Sequence, residues 1–226
     1  MTKIAIHQSE YIPWPPYFKK AALADIFVVL DNVQFQKNGI QNRNRLRNQN
    51  GPFWMTIPVT GSLADHIKDK KISDQGFRKK HFNSLLFSYS KAPFWSVFAK
   101  DLAKLYDGSY FSLGEINQAF LGYIFGKLNI QTDVYYSSGW DFCGKKSDLI
   151  LNICKHFKAD TYISGAGGKN YLKENEFRKS GIEIKYIKSE PPVYQQFHKG
   201  VFVEGLSILD MFFNVDLEEI KKYSED

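Results

Sequence analysis

A histidine and an aspartate each end a short apolar run near the start of this sequence, where they are placed for acid–base chemistry. His7 closes the alternating run 3–7, and Asp31 closes the uninterrupted apolar run 26–30. A histidine exchanges protons near neutral pH, and a carboxylate beside it can orient the imidazole or a substrate. These residue types predict a general base at His7 assisted by Asp31. The alternative is that both side chains only cap strands and bind loop amides.

The residues between them predict a strand, a stiff turn, a short helix and a second strand. Three prolines lie within 13–16, and a proline at a helix entry lacks only an N–H that has no helical partner there. Apolar residues at helical spacing follow over 17–24. A strand–helix–strand unit brings both strand ends to one edge of a parallel sheet, where open α/β sheets bind ligands. His7 and Asp31 are therefore expected at the same edge.

The rest of the chain predicts an α/β fold. We expect a five-stranded, mainly parallel, Rossmann-like sheet in a single domain over 1–226, with a helical insertion at 74–128. After the first unit, apolar residues at helical spacing predict the helices, and short apolar or alternating runs predict the strands. The predicted strands are 53–59, 133–137, 160–164 and 182–187, and the predicted helices are 77–89, 93–106, 113–128, 146–157, 174–179 and 206–213.

Composition narrows the class of protein. Hydrophobic residues make up 43% and aromatic residues 16% of the chain, which favours a globular core over disorder. The first residues do not resemble a secretory signal, and no apolar run approaches the roughly 20 residues that span a bilayer. Cys143 and Cys154 have no spacing typical of a metal site. We expect a cytoplasmic protein with reduced thiols, no membrane insertion and no bound metal.

A basic stretch follows the first unit. Residues 32–64 contain no Asp or Glu, while Lys37, Arg43, Arg45 and Arg47 lie within them, in a chain of formal charge +6. Such a stretch favours phosphates or nucleic acid as partners. The alternative is a solvated basic face without a ligand.

A glycine-rich segment after a late strand is the second candidate site. In SGAGGKNY, the amides of Ser164, Gly165 and Gly167 are free to approach a phosphate or carboxylate, with Tyr171 beside them. The segment fits neither common phosphate-loop pattern, so a plain tight turn is the alternative.

Three further positions leave a structural and a functional interpretation open. The helix start at 146–148 either is capped by Ser147 or binds an anion. His81 is expected to be partly buried between the apolar residues four positions away on either side. Asp210 lies in an apolar helix and needs a basic or amide partner.

Three stretches resemble the WbqC-like protein family: IHQSEYIPWPPYFKKAALADIFVVLDNVQFQKNGIQNRNRL, YISGAGGKNYL and LSILDMFFN. Ser9 replaces the family's expected Pro, and Pro16 its expected Gly. The resemblance implies a role beside bacterial surface-polysaccharide (O-antigen, lipopolysaccharide) and amino-sugar synthesis. At fold level the predicted sheet also resembles the nucleotidyltransferase and class I synthetase (HUP-like) superfold, although its usual His-x-Gly-His is absent. That likeness favours nucleotide binding.

Together these features predict a transferase that moves an acyl or aminoacyl group to a nucleotide-linked amino sugar or another phosphorylated small molecule. The cofactor stays open between a nucleotide and an activated acyl donor. The alternative is an RNA-binding module built on 32–64, and a scaffold role is a third option. Beside the catalytic His7 and Asp31, the predicted contacts to substrate or phosphate are Gln8, Tyr11, Trp14, Tyr17, Gln34, Lys37, Asn42, Arg43, Arg45, Ser164, Gly165, Gly167, Tyr171, Tyr194 and Gln196.

Overall fold

A computed structural model describes residues 1–188 and 190–225; residues 189 and 226 of the predicted domain lie outside this description. The strands are β1 (Lys3–Gln8), β2 (Ile26–Leu30), β3 (Arg43–Asn48), β4 (Gly51–Thr56), β5 (Val59–Thr60), β6 (Lys71–Ile72), β7 (Asp133–Tyr136), β8 (Thr161–Gly165) and β9 (Glu183–Ile187). The α-helices are α1 (Pro15–Ala22), α2 (Phe77–Tyr89), α3 (Trp95–Asp107), α4 (Leu113–Leu128), α5 (Ser147–His156), α6 (Glu174–Lys179), α7 (Ile208–Asn214) and α8 (Leu217–Glu225).

A five-stranded sheet forms the centre of the described chain, in the order β7–β2–β1–β8–β9, and every neighbouring pair is parallel. This confirms the predicted Rossmann-like α/β fold. The chain passes from β1 through α1 to β2 on one side, and later crosses from β7 through α5 to β8 on the other. The strand order therefore reverses between β1 and β8. Open α/β sheets form their binding crevice at such a switch point.

Helices cover both faces of this sheet, and β1 contributes to both cores. Ala5 belongs to a core with α1 and α8, whereas Ile6 belongs to a second core with α5 and α6. Because side chains alternate along a strand, His7 lies on the α1 side and Gln8 on the α5 side. The end of β1 therefore presents one polar side chain to each layer.

The turn between β1 and α1 is held from outside by the β3–β4 hairpin. Ile12 has φ of +39°, an uncommon conformation for a β-branched residue. The Asn44 side-chain amide donates to the Ile12 carbonyl oxygen at 2.9 Å, and the Tyr11 N–H donates to the Ile40 carbonyl at 3.2 Å. These bonds determine the direction in which the chain enters α1.

One element differs from the sequence-based expectation. The predicted strand 53–59 has other bounds: β4 begins at Gly51 and ends at Thr56, because its ladder with β3 runs from Arg43 opposite Thr56 to Asn48 opposite Gly51. The helices of 77–128 match their predicted stripes closely. At the start of α4, Ser112 and Glu115 form the predicted capping box.

Candidate active site

Two adjoining cavities open at the carboxyl end of β1. The smaller has a volume of about 410 Å³ and lies at the switch point between β1 and β8. The larger has a volume of about 850 Å³ and extends towards α5. Both are lined by Ile6, His7, Glu10 and Tyr171. His7 is therefore at the junction of two spaces at the edge where the fold predicts chemistry.

The His7 imidazole is positioned by α1. Its ring centroid lies 4.7 Å from that of Tyr17, at an interplanar angle of 34°. The side chain is 33% exposed, but its Nδ1 is buried without a hydrogen-bond partner among the described residues. Burial, and secondarily the Lys20 charge, lowers the pKa of His7 well below its ordinary value. The imidazole is therefore neutral at physiological pH and able to accept a proton.

Glu10 is the carboxyl group that lies beside this histidine. His7 Nε2 and Glu10 Oε1 are 3.6 Å apart, a separation that a bound substrate can shorten. Glu10 is only 6% exposed, and its Oε2 has no hydrogen-bond partner within the described part of the chain. Burial raises the pKa of Glu10 to about 8, although Lys20 opposes the shift. At neutral pH this side chain is a proton donor next to a neutral imidazole.

Lys20 completes the group of titratable side chains around the smaller cavity. It is 7% exposed, and its Nζ donates to the Ile6 carbonyl oxygen at 2.6 Å. Burial lowers the pKa of Lys20 to about 8, although Glu10 opposes the shift. Desolvation thus moves both pKa values towards neutrality, a property typical of active sites.

The predicted glycine-rich segment forms the opposite wall of the smaller cavity. Ser164, Gly165 and Gly167 line it, and Trp14 and Tyr17 line it from the α1 side. A Cβ at Gly168 would collide with Ser164 Oγ, so that side chain would have to move, whereas a Cβ at Gly167 would meet nothing within 4 Å. The structure thus brings the two sequence-predicted sites to one cavity.

Amide and basic side chains line the larger cavity. Gln8 and Gln34, two of the predicted contacts, line it together with Gln36, His66 and Lys145. Gln8 Oε1 accepts from Gln41 Nε2 at 2.8 Å, which fixes the amide orientation at the cavity wall. Such groups bind hydroxyl and phosphate oxygens.

Asp31 does not contact His7. Its carboxylate accepts hydrogen bonds from Ser137 Oγ at 3.1 Å, from the Ser138 N–H at 2.9 Å and from Ser138 Oγ at 2.6 Å. Among the hydrogen bonds of the described residues, none joins Asp31 to the imidazole. The side chain holds the loop after β7, which matches the capping interpretation for this residue.

Tyr11 lies in the core rather than in either cavity. It is fully buried, and its hydroxyl is 2.9 Å from His81 Nδ1 and 2.6 Å from Tyr106 OH. His81 packs edge-on against Phe77, as expected, and burial lowers its pKa to about 4. This polar cluster anchors the turn before α1 to the helices α2 and α3.

The basic residues of 32–64 separate into different environments. Lys37, Asn42 and Arg43 line a third cavity of about 370 Å³, and the Asn42 side-chain amide donates to the Ile57 carbonyl at 2.8 Å. Arg43 also lies over the Trp54 ring at 4.2 Å, and Arg45 lies at 5.8 Å from the same ring.

Tyr194 and Gln196 belong to a buried polar network around Asp210. The Tyr194 hydroxyl donates to Asp210 Oδ1 at 2.8 Å, and Tyr89 donates to Oδ2 at 2.5 Å. Gln196 Oε1 accepts from Arg47 Nη1 at 2.5 Å. Burial raises the pKa of Asp210, although its tyrosine partners oppose the shift. Neither predicted contact lines the cavities that meet at His7, within the described chain.

Sequence reasoning missed Glu10 and Lys20. Lys20 carries a recognisable signal, because it lies three residues after Tyr17 and four before Ala24, within the apolar stripe of the predicted helix. A lysine in such a stripe either disturbs the packing of the core or has a function. Glu10 carries no comparable signal, because its burial depends on contacts with residues outside its own short segment.

The fold and the site define a Rossmann-like α/β protein with a titratable cleft at the switch point of its sheet. Residues 8–222 match the model of the WbqC-like protein family, and the chain belongs to that family. It is also similar to the uncharacterized protein Rv1507c of Mycobacterium tuberculosis (strain ATCC 25618 / H37Rv), with 32% identity over 223 residues and 96% of each chain covered. The resemblance read from the sequence is thereby confirmed. In the described residues, no helix is long and apolar enough to cross a bilayer.

Proposed function

We propose that this protein is an enzyme that transfers an acyl or aminoacyl group to the amino group of a nucleotide-linked sugar. The observation that carries the proposal is the imidazole of His7, 3.6 Å from the buried carboxyl of Glu10, at the junction of two cavities. A base and an acid of this kind are what an acyl transfer to nitrogen requires. The proposed place in surface-polysaccharide synthesis, such as that of O-antigen in lipopolysaccharide, is what the resemblance to the WbqC-like family implies.

In the proposed reaction, each of these groups has one role. The acceptor amine attacks the acyl carbonyl, and the new C–N bond forms as the bond to the donor's leaving group breaks. His7 takes the proton that the amine loses, and Glu10 gives a proton to the leaving group. Lys20 adds positive charge near the developing oxyanion.

The direct test combines purified protein with nucleotide-linked amino sugars and activated acyl donors, followed by mass spectrometry of the products. The expected result is a nucleotide sugar heavier by the mass of the acyl group. His7→Gln is expected to abolish product formation, because it removes the proton acceptor. His156→Gln is the matched control, since His156 is exposed on α5 and lies outside both cavities. Full turnover by His7→Gln would remove the assignment of the base.

A second candidate function, single-stranded RNA binding, is favoured by the surface around Trp54. This ring is 48% exposed, and the side chains of Arg43 and Arg45 lie against it. Aromatic rings flanked by arginine are typical of platforms that stack nucleobases. Arg47 does not extend this surface, because it is 5% exposed and bonded to the Lys199 carbonyl at 2.8 Å.

Fluorescence anisotropy with a labelled oligouridine distinguishes the two functions. The RNA-binding function requires affinity that falls with salt and is lost in the Arg43→Gln/Arg45→Gln variant. The enzyme function requires nucleotide-sugar binding that excess RNA does not displace. A Lys100→Gln/Lys104→Gln variant on α3 removes the same charge and serves as the control.

A further inference from the structure

The two cavities lie on opposite layers of the sheet. A single small substrate would not be expected to occupy both. The smaller belongs to the α1 side and to the crevice beside β8, while the larger reaches the start of α5. Only the end of β1, the residue Glu10 and the Tyr171 side chain are common to both. A group transfer between two molecules needs two such spaces with the acid–base pair between them.

The larger cavity has the chemistry of a phosphate site. Lys145 and Lys146 line it at the N terminus of α5, where no side chain caps the helix. The Asp148 N–H donates to the Lys145 carbonyl at 3.1 Å, and the Asp148 carboxylate is paired with Lys173 at 2.8 Å. Ammonium groups at the positive end of a helix dipole bind phosphate oxygens. An independent observation is the buried, unpartnered Oε2 of Glu10 in the wall of the same cavity, which a ligand would satisfy.

Lys146 has a strained backbone conformation, and its position at this cavity helps to explain why a lysine lies there. Lys146 has φ of +51° and ψ of −121°, a conformation that glycine adopts with much less strain. The lysine at this position provides a charge at the cavity that a glycine would not. The residue therefore offers a variant whose effects on stability and on binding have opposite signs.

The smaller cavity is suited to a different molecule. Its walls include the aromatic rings of Trp14, Tyr17 and Tyr162 and the glycine-rich segment after β8, with Lys20 as its cation. Aromatic walls with few charges favour an uncharged or ring-bearing group over a diphosphate.

We propose that the larger cavity binds the diphosphate-bearing substrate through Lys145 and Lys146 at the positive end of α5, while the group donor occupies the smaller cavity on the other side of His7. The proposal rests on the proposed function for the roles of the two molecules. The binding of the diphosphate-bearing substrate to the larger cavity, however, is measured without turnover.

The first experiment is calorimetric titration with UDP as a nucleoside diphosphate, with inorganic pyrophosphate as competitor. The Lys146→Gly variant is expected to bind UDP about tenfold more weakly, because it loses a charge-assisted hydrogen bond. The same variant is expected to melt about 2–4 °C higher, because the strain is relieved.

Lys158→Gly is the matched control for this experiment. Lys158 also has positive φ, +51°, but it follows α5 and lines neither cavity within the described chain. It is expected to be stabilised as well and to bind UDP as the unchanged protein does. Equal UDP affinity in the Lys146 and Lys158 variants, or no UDP binding by the unchanged protein at millimolar concentration, would overturn the proposal.

The second experiment blocks the smaller cavity. Gly167→Leu adds a side chain where nothing lies within 4 Å, so the fold is expected to persist, as checked by the melting temperature. UDP affinity is expected to stay within about twofold while transfer is lost. A tenfold loss of UDP affinity would place the diphosphate in the smaller cavity and overturn the assignment. Intact UDP binding that depends on Lys146, without transfer from any donor, would contradict only the proposed reaction.

Discussion

The replacement of Glu10 by glutamine is expected to stabilise the protein at neutral pH and to remove its activity. The unfolded chain ionises Glu10 near the ordinary value of 4.5, whereas burial raises the pKa to about 8 in the folded protein. Between these values the folded state holds a proton that the unfolded state has lost. The stability that Glu10 contributes is therefore fully present below pH 4.5 and is lost as pH rises towards 8.

The magnitude follows from this interval. Each pH unit between the two pKa values corresponds to about 1.4 kcal/mol, so Glu10 lowers the free energy of unfolding by about 3 kcal/mol at pH 7 and by about 5 kcal/mol above pH 8. Glutamine resembles the neutral carboxyl in size but does not ionise. Glu10→Gln is therefore expected to match the unchanged protein near pH 4.5 and to exceed its stability increasingly up to pH 8. These values are upper limits, because local rearrangement reduces the penalty of a buried charge.

The assay is urea denaturation followed by tryptophan fluorescence at pH 5, 7 and 8.5. Glu219→Gln removes one exposed carboxylate from α8 and is the control for net charge. Its difference from the unchanged protein is expected to stay within about 0.5 kcal/mol at every pH. A difference for Glu10→Gln that does not grow with pH, or a less stable variant at pH 8.5, would refute the assignment of a buried, protonated carboxyl.

Three further predictions follow from the same contacts. Lys20→Met is expected to move the alkaline limb of the pH–rate profile above pH 8, because Lys20 lowers the pKa of Glu10. An unchanged limb would show that Lys20 does not influence the ionisation of Glu10. Asn44→Ala is expected to lower the free energy of unfolding by about 1–3 kcal/mol, measured in urea, because the buried Ile12 carbonyl loses its side-chain donor. Tyr11→Phe is expected to lower the free energy of unfolding by about 1–3 kcal/mol, because two buried partners lose a hydrogen bond. Its UDP affinity, measured by calorimetry, is expected to stay unchanged. A weaker affinity would show that Tyr11 contributes to the binding site.

The sequence predicted much of the fold because its central elements carry local signals. The apolar run Ile26–Leu30, the capping box at Ser112 and the stripes of 77–128 depend on residues close in the chain. The bounds of β4 were less predictable. They depend on the register with β3, which is a contact between segments and not a property of either one.

The candidate site likewise combines residues that local sequence patterns indicated with residues that only the structure revealed. Strand ends and glycine content indicated His7 and the Ser164–Gly168 segment, and the structure places them around one cavity. The sequence-based prediction assigned Asp31 the position that Glu10 occupies, because a parallel β1–β2 pair places Asp31 near His7 in the backbone. Side-chain direction decided otherwise, since Ser137 and Ser138 bind the Asp31 carboxylate.

The sequence by itself determined the class of fold, the family and the histidine at the centre of the cleft, because these depend on patterns within short segments. The tertiary structure alone decided which polar groups lose water. Desolvation shifts the pKa values of Glu10 and Lys20, and contacts between distant segments place Tyr11 and Tyr194 in hydrogen-bond networks of their own. Desolvation depends on every element that covers a group, so no local pattern in the chain specifies it.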